Sequence, residues 1–231
     1  MDHLVSVVIP AHNSQQYIVP ALDSILAQKH RPLEILVVDD GSTDTTPDIV
    51  RGYAPEVRLI QQNQRGHPAA RNAGIRAATG MFLAFLDHDD LWTPDKLDRQ
   101  IASFENNPAL DLVFGHNQNF FTPEMTPEER GRVVVPLRPL PGLLQGAMLA
   151  RRESFDRVGL FSEERGVGDF LDWYGRAMLA RMNVEMLPEI VVYRRIHASN
   201  YQRTHRYQVR EYLRAVKDLL DRRRARSSNS A

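Results

Sequence analysis

Short apolar runs alternate with amphipathic segments along the first half of the chain. Apolar runs bounded by turn residues predict strands, and apolar side chains spaced three or four residues apart predict helices. Strands are predicted at 4–10, 34–39, 57–61, 81–87 and 110–115, and helices at 17–28, 45–53, 68–78 and 94–106. Strands that alternate with helices at this spacing predict an α/β fold with a doubly wound, mostly parallel sheet.

The pattern becomes less regular after residue 115. Residues 121–132 predict a polar surface loop, and residues 136–142 contain three prolines and predict a connector. Further helices are predicted at 143–150, 152–158, 169–181 and about 205–224, and a strand at 189–195. We therefore expect one domain over residues 1–203, with halves at 1–117 and 118–203, followed by a helical tail at 204–231.

Composition narrows the possible classes of function. Hydrophobic residues make up 42% of the chain and charged residues 25%, and the absence of cysteine excludes disulfides, zinc–thiolate sites and a thiol nucleophile. The formal net charge of zero argues against nucleic acid as a partner. No apolar run approaches the roughly 18 residues of a membrane span, and the N-terminus lacks a signal-peptide pattern. A cytoplasmic protein without a transmembrane segment is expected.

Positive charge is concentrated near the end of the sequence. From Arg194 to Ala231 there are 11 Lys and Arg against 3 Asp and Glu. A helix of this composition either has a solvated basic face or contacts acidic lipid, a phosphorylated acceptor or a partner protein. Peripheral contact with a membrane surface is therefore one role that the sequence leaves open for residues 204–231.

Three polar clusters follow predicted strands and are expected to meet at one edge of the sheet. They are Pro10-Ala11-His12-Asn13, Asp39-Asp40-Gly41-Ser42 and Asp87-His88-Asp89-Asp90. In doubly wound sheets, ligands bind outside the carboxyl ends of the strands. The third cluster holds three carboxylates, whose repulsion is relieved by protonation or by a cation such as a divalent metal. The alternative is a solvated turn whose aspartates cap the next helix.

Four blocks of the sequence resemble the family 2 glycosyltransferases of the GT-A fold. They are residues 6–13 (SVVIPAHN), 37–44 (VVDDGSTD), 69–74 (AARNAG) and 85–90 (FLDHDD), and a looser likeness extends to about residue 200. The resemblance implies inverting transfer of a sugar from a nucleoside-diphosphate donor, most often a uridine one. It also implies that residues 1–117 bind the donor and residues 118–203 the acceptor. A glycan, a lipid-linked sugar, a peptide and a small molecule all remain possible acceptors.

The resemblance also implies which residues bind the nucleotide. A nucleoside diphosphate needs carboxylates for its base and ribose, exposed backbone, and a positive counter-charge. Arg71 is the expected cation, although it could instead form a buried ion pair with Asp39, Asp40 or Asp87. The implied nucleotide-binding residues are Pro10, Ala11, Asn13, Asp39, Asp40, Gly41, Ser42, Gly66, Arg71, Asp87 and His88.

A divalent ion, Mn²⁺ or Mg²⁺, is the implied cofactor. Asp87-X-Asp89 corresponds to the family's Asp-X-Asp motif, whose carboxylates bind the ion and the ribose. His197 stands in a region where the family often has a histidine near the metal and the diphosphate. The expected metal ligands are therefore Asp87, Asp89 and His197, with His88 lining the site.

The expected catalytic base departs from the family pattern. The resemblance predicts a Glu-Asp pair before Arg176, but the chain has Asp169 at the usual Glu position and Phe170 at the position of the base. Asp169 and Asp172 are three residues apart and share one helix face. We expect Asp172 to be the base in the first instance and Asp169 in the second. Structural alternatives are a helix N-terminal role for Asp169 and an ion pair between Asp172 and Arg176.

Three other interpretations compete with sugar transfer. A sugar nucleotidyltransferase also uses acidic metal ligands, but residues 10–13 lack its glycine-rich phosphate loop. A nucleotide-binding subunit without catalysis would explain the missing Glu-Asp pair. A phospho-receiver domain would explain Asp39-Asp40, but it leaves Asp87 to Asp90 without a role.

Overall fold

A computed structural model describes residues 3–164 and 168–198 of the chain. Its first half is a parallel sheet with helices on both faces. The strands are β1 (Val5–Ala11), β2 (Leu33–Asp40), β3 (Val57–Gln62) and β4 (Phe82–Phe85), and the helices are α1 (Ile18–Leu26), α2 (Thr46–Arg51) and α3 (His67–Ala77). β1 pairs in parallel with both β2 and β4, and β2 pairs in parallel with β3. This half confirms the predicted alternation of strands and helices.

The second half continues the same sheet with mixed pairing. The strands are β5 (Leu91–Trp92), β6 (Leu112–Phe121), β7 (Leu140–Pro141), β8 (Leu149–Arg151) and β9 (Val184–Ile196). The helices are α4 (Lys96–Asn106), α5 (Pro127–Gly131), α6 (Arg152–Val158) and α7 (Asp169–Leu179), with a 3-10 turn at Gln145–Ala147. The strand order is β3-β2-β1-β4-β8-β6-β9-β5, and β7 pairs with β6.

The strand β1 shows why this sequence forms a sheet covered on both faces. All seven of its residues are buried, as expected for a parallel strand between two helical layers. Val5, Val7 and Ile9 point into one hydrophobic cluster and Val8 into the other, which is the two-residue period of a strand. The polar sequence that follows β1 therefore emerges at the carboxyl edge of the sheet.

Residues 143–150 were predicted to be a helix, and this prediction is wrong. They form the 3-10 turn and the first residues of β8, which pairs antiparallel with both β4 and β6. Leu149 and Ala150 are fully buried between those two strands. Pairing with both neighbours overrides the local helical pattern, because a short apolar run does not by itself distinguish a strand from a helix.

Other boundaries also differ from the predictions. β6 reaches Phe121 and β9 begins at Val184, so both strands are longer than predicted. The predicted loop at 121–132 contains the short helix α5, which begins with a capping box between Thr126 and Glu129. The predicted helix at 205–224 lies outside the described residues. Within residues 3–164 and 168–198, no helix is long and apolar enough to span a membrane.

Candidate active site

The polar clusters after β1 and β2 are joined by hydrogen bonds. Pro10 and Ala11 are buried in β1, and Ala11 lies beside Asp39 of β2. His12 Nδ1 lies 2.9 Å from the carbonyl oxygen of Asp40. The backbone N–H of Asn13 donates to Ser42 Oγ at 2.9 Å, and Asn13 Oδ1 accepts from the N–H of Thr43 at 2.8 Å. The expected convergence of these two clusters is therefore present.

Asp39 and Asp40 are both buried, but they have different partners. Asp40 accepts three short hydrogen bonds, from the side chain of Gln62 at 2.7 Å and from the N–H groups of Arg65 at 2.8 Å and Gly66 at 2.7 Å. Asp39 accepts longer bonds, from the N–H of Ser42 at 3.2 Å and from the side chain of Gln61 at 3.3 Å. Asp40 therefore anchors the chain before α3, whereas Asp39 is held less tightly.

Gly41 and Gly66 provide backbone conformations that these contacts require. Gly41 has a φ of +75°, and a Cβ placed there would lie 3.0 Å from the backbone nitrogen of Gln64. Gly66 has a φ of +93° and directly precedes α3. Side chains other than glycine are strained at such angles. Both glycines thus allow the loops after β2 and β3 to approach each other.

Arg71 connects two carboxylates that are distant in the sequence. Its guanidinium is buried, and it donates from Nη2 to Asp87 Oδ1 at 2.7 Å and from Nη1 to Asp169 Oδ2 at 2.9 Å. The ion pair with Asp87 is one of the alternatives that the sequence left open, and the pair with Asp169 was not predicted. One side chain of α3 therefore joins the loop after β4 to the start of α7.

The loop Asp87–Asp90, which we call the acidic loop, is held by His197 and Arg195 of the second half. His197 Nε2 lies 3.0 Å from Asp89 Oδ2, so the structure brings together two of the three predicted metal ligands. Arg195 donates from Nε to the carbonyl oxygen of Asp89 at 2.8 Å and from its backbone N–H to Asp90 Oδ1 at 2.9 Å. The guanidinium of Arg195 also lies between the rings of Tyr17 and Phe120, at 4.9 and 4.8 Å from their centroids.

The three carboxylates of the acidic loop differ in their ionisation. Burial opposes the charge of Asp87, but the Arg71 guanidinium outweighs burial and lowers the pKa of Asp87 below its usual value. Burial also opposes the charge of Asp89, yet the hydrogen bond from His197, the electrostatic effect of His88 and His197 and a backbone hydrogen bond together bring the pKa of Asp89 down to about 2. Burial and the charge of Asp89 raise the pKa of Asp90 well above its usual value. The loop thus presents two anions next to a group that resists ionisation.

Two histidines lie beside the acidic loop. The rings of His67 and His88 are stacked with their centroids 6.3 Å apart. Burial and the nearby Arg71 guanidinium lower the pKa of His67 to about 4, so this ring is neutral near pH 7. His88 Nδ1 is buried, and no described residue forms a hydrogen bond with it. His88 therefore lies at the acidic loop with a buried ring nitrogen that has no hydrogen-bond partner among the described residues.

The residues of the acidic loop fit a metal ion that is shared with a substrate. Carboxylates such as Asp87 and Asp89 are the oxygen ligands that Mg²⁺ and Mn²⁺ prefer. In the part of the chain that the structure describes, however, no three His, Cys, Asp or Glu side chains form a metal-binding group. Mg²⁺ commonly binds one or two carboxylates and takes its other ligands from phosphates and water. Asp87 and Asp89 therefore offer two carboxylates of the kind that such an ion binds.

The two candidate bases on α7 have different surroundings. Asp169 lies at the first residue of the helix, and burial raises the pKa of its carboxyl group although Arg71 opposes this effect. Asp172 is 3% exposed and accepts from Arg176 Nε at 2.9 Å. Arg176 also donates to the carbonyl oxygens of Val158 and Leu160. Asp172 thus belongs to a contact that fastens α7 to the end of α6, while Asp169 faces the acidic loop through Arg71.

Two residues near the site were missed by the sequence analysis. Gln145, in the 3-10 turn, contacts Arg71, but its segment was predicted to be a helix. Asn72 pairs with the backbone of Phe161 in both directions, at 2.9 and 3.0 Å. Asn72 lies in the block at 69–74 that carries the family resemblance, but the sequence favoured the backbone of the acidic loop as its partner, and the observed partner is Phe161. Both contacts join segments far apart in the chain, which local patterns cannot reveal.

A family profile and a curated relative match this chain. The profile of glycosyl transferase family 2 matches residues 6–159. An uncharacterized glycosyltransferase of Nostoc sp. is 40% identical over 124 residues, which cover 49% of this chain and 38% of that protein. The chain therefore covers less than half of the length of this relative.

Two solved structures have the same fold. The crystal structure of S. aureus TarS 1–349 in complex with UDP-GlcNAc has a TM-score of 0.73 at 21% identity, over 93% of this chain and 65% of that one. The mannosyltransferase PcManGT from Pyrobaculum calidifontis, in complex with GDP-Man and Mn²⁺, has a TM-score of 0.65 at 24% identity, over 87% of this chain and 59% of that one. These likenesses confirm the predicted GT-A fold. The profile match over residues 6–159 shows that the chain belongs to glycosyl transferase family 2.

Proposed function

We propose that this chain transfers a sugar from a nucleoside-diphosphate sugar to an acceptor, with inversion at the anomeric carbon and with a divalent metal. The observation that carries the proposal is the double ion pair of Arg71 with Asp87 and Asp169. One buried guanidinium connects a carboxylate of the Asp-X-Asp motif to a carboxylate on the acceptor side. Such a connection keeps the donor site and the base at a fixed separation, as transfer between two substrates requires.

The donor site of this proposal lies between the loops after β1, β2 and β4. Asp39, whose hydrogen bonds are long, is the proposed partner of the base or ribose, and Asp40 keeps the loop before α3 in position. Arg71 already directs both Nη groups to protein carboxylates, so we assign it a positioning role. A uridine donor is proposed first, because TarS binds UDP-GlcNAc. The mannosyltransferase with GDP-Man makes a guanosine donor the second choice.

Asp87 and Asp89 are the proposed metal ligands, and His197 positions Asp89 through its hydrogen bond. A bound Mn²⁺ or Mg²⁺ would supply positive charge for the diphosphate that leaves with the nucleoside. The mannosyltransferase structure with Mn²⁺ supports such an ion in this fold. The low pKa of Asp89 means that this ligand is ionised throughout the physiological range.

Asp169 is the proposed base in preference to Asp172. A base must reach the acceptor hydroxyl and accept its proton, and a raised pKa favours that transfer. Asp169 meets the second requirement because burial raises its pKa. Asp172 is engaged by Arg176 in a buried ion pair that supports the packing of α7 on α6. This order reverses the preference that the sequence alone suggested.

A donor-binding subunit without catalysis is the second candidate. Phe170 stands where the family usually has its base, and it is buried against the rings of Phe114 and Tyr174, at centroid distances of 6.2 and 6.0 Å. This subunit would bind nucleotide and leave the donor unchanged. Both candidate functions therefore predict donor binding, but only the transferase predicts turnover of the donor.

The test begins with thermal shift against a panel of nucleotide sugars, with and without Mn²⁺, and continues with a transfer assay on the donor that binds. Asp169→Asn is expected to lower kcat about 10²- to 10⁴-fold, as loss of a general base does, and to leave donor binding intact. Asp172→Asn, the matched control on the same helix, is expected to lower the melting temperature with a smaller effect on kcat. Donor binding without turnover in the wild type would reject catalysis. Loss of turnover in Asp172→Asn alone would move the base to that residue.

A further inference from the structure

Three buried side chains donate hydrogen bonds to three consecutive carbonyl groups next to the site. Trp92 Nε1 donates to the carbonyl oxygen of Gly146 at 3.0 Å, Gln100 Nε2 to that of Ala147 at 2.9 Å, and Lys96 Nζ to that of Met148 at 3.3 Å. The donors come from β5 and α4, and each is at most 3% exposed. We call Trp92, Lys96 and Gln100 the carbonyl clamp, because they hold the backbone of one short segment.

Lys96 is the unusual member of the carbonyl clamp. Its Nζ also donates to Gln100 Oε1 at 2.5 Å and lies 4.4 Å from the centroid of the Trp92 ring. Within the described ranges no carboxylate forms an ion pair with Lys96, and burial lowers the pKa of its amine well below the usual value. An amine in such a place costs stability, since it must lose its charge or its hydration. Holding the backbone of residues 146–148 is a structural role that accounts for an amine at this unfavourable position.

The 3-10 turn next to the carbonyl clamp places Gln145 beside Arg71. With the carboxamide oriented by its hydrogen-bonding partners, Gln145 Oε1 accepts from Arg71 Nη1 at 3.2 Å and from Nη2 at 2.9 Å. These are the same two nitrogens that donate to Asp169 and Asp87. Gln145 is therefore the neutral third partner of the guanidinium that joins the donor site to the proposed base.

We propose that the carbonyl clamp fixes the 3-10 turn so that Gln145 holds Arg71 between Asp87 and Asp169, which makes Gln145 a positioning residue for sugar transfer. The inference rests on the proposed function. The Arg71 guanidinium is charged with or without Gln145 and the carbonyl clamp. Loss of these residues therefore changes the position of the guanidinium and not its charge. We therefore expect them to affect turnover more than donor binding.

The first experiment compares Gln145→Met with the wild type in a steady-state transfer assay. Methionine has a similar length but no acceptor oxygen, and removal of a hydrogen bond to a charged partner corresponds to about a 10- to 100-fold fall in kcat. The donor KM is expected to change by less than about threefold, because Gln145 acts through Arg71. Leu143→Ala is the matched control, since Leu143 lies two residues away and is 51% exposed. It is expected to behave as the wild type.

The second experiment tests whether the clamp acts through Gln145. Lys96→Met is expected to lower kcat in the same way, and the double variant with Gln145→Met is expected to lose no more than Gln145→Met alone. If Lys96→Met does not fold, Trp92→Phe replaces it, because that variant removes the donor to Gly146 and leaves the side chains of Lys96 and Gln100 in place. If the fold losses in kcat of the two single variants multiply in the double variant, Lys96 and Gln145 act independently. That result would overturn the proposed coupling between them.

A third measurement does not depend on turnover. The chain has two tryptophans, so the indole N–H signal of Trp92 is assigned by its absence in Trp92→Phe. Hydrogen exchange at this N–H is expected to be faster in Lys96→Met and unchanged in Gln145→Met and Leu143→Ala. Unchanged exchange in Lys96→Met would reject the clamp as a unit.

The outcomes separate the inference from the proposed function. A wild type that transfers sugar while Gln145→Met retains its full kcat would reject the role of Gln145 and leave the function intact. A wild type without transfer would reject the function and the role of Gln145 in it. The indole exchange would still decide whether the clamp holds the segment.

Discussion

Asp39 and Asp40 are the last residues of β2, and the acidic loop follows β4. Both strands are neighbours of β1, but the carboxylates at their ends have different kinds of partners. Asp39 and Asp40 accept hydrogen bonds from backbone N–H groups and glutamine side chains. In the part of the chain that the structure describes, no lysine or arginine side chain pairs with either of them. The acidic loop instead contacts the side chains of Arg71, His197 and Arg194.

The difference shows that similar residues at one edge of a sheet can have separate roles. Uncharged hydrogen-bond donors fix the position of a carboxylate, and the carboxylate in turn fixes the loop that donates to it. These donors do not neutralise the charge of the carboxylate. In the acidic loop, Arg71 lowers the pKa of Asp87, and His197 contributes to the lowered pKa of Asp89. We therefore expect substitutions of Asp40 to act mainly on stability, and substitutions in the acidic loop to act on turnover and on the pH dependence of stability.

The largest expected effect is that of Asp89→Asn on transfer. The variant removes a proposed metal ligand and the carboxylate partner of His197, and charge stabilisation by a bound metal is worth several kcal/mol, so kcat should fall about 10³-fold or more. Isothermal titration with UDP should also lose its dependence on Mn²⁺. The assay is the transfer reaction with the donor identified by thermal shift.

Asp48→Asn is the control for this experiment, because Asp48 is exposed on α2 and pairs with Arg51, three residues along the same helix. It should leave kcat within about twofold of the wild type. Undiminished transfer by Asp89→Asn would show that the acidic loop has no part in catalysis, and the contrast between the two clusters would then concern stability alone.

The next largest effect is the loss of stability in Asp40→Asn. An amide retains one acceptor oxygen, and its NH₂ group would face a backbone N–H donor of Arg65 or Gly66. Hydrogen bonds to a charged acceptor are worth about 1.5–3 kcal/mol, so the free energy of unfolding should fall by about 3 kcal/mol. Urea denaturation measures it. Asp39→Asn, with its longer bonds, should cost about 1 kcal/mol, and equal losses would remove the distinction between the two residues.

Much of the carboxyl edge of the sheet could be predicted from the sequence, because strand periodicity and the position of polar residues at the end of each strand are local signals. The convergence of Asn13 with Ser42 and the closeness of His197 to the acidic loop follow from such signals and from the family resemblance. The strand β8 could not be predicted, since only its pairing with β4 and β6 distinguishes Leu149–Arg151 from a helix.

The contacts of the two candidate bases, Asp169 and Asp172, could be predicted from the sequence only in part. Arg71 and Asp169 are 98 residues apart, and no periodicity connects them. The helical spacing of Asp172 and Arg176 did predict their ion pair as one alternative. What the sequence lacked was the contact of Arg176 with the end of α6, which gives that pair a structural role.

The smallest expected effect distinguishes two neighbouring residues of the acidic loop. In metal-free protein, Asp90→Asn should raise the free energy of unfolding at pH 7 by about 1 kcal/mol, because the native state opposes the ionisation that Asp90 has in the unfolded chain. The amide oxygen can still accept from the N–H of Arg195, as Asp90 Oδ1 does at 2.9 Å. Asp89→Asn should have the opposite sign, since the native state lowers the pKa of Asp89 and so favours its charge.

The pH dependence gives the sign of each contribution. The raised pKa of Asp90 means that the folded protein retains a proton that the unfolded chain has lost, so stability falls as pH rises from the ordinary aspartate value towards the folded one. Asparagine does not titrate, and the gain in Asp90→Asn should therefore be larger at pH 7 than at pH 4. For Asp89, stability is present above its ordinary pKa and is lost as pH falls towards about 2. Urea denaturation in EDTA at both pH values tests this, and a destabilised Asp90→Asn would mean that the whole loop is stabilised by its charges.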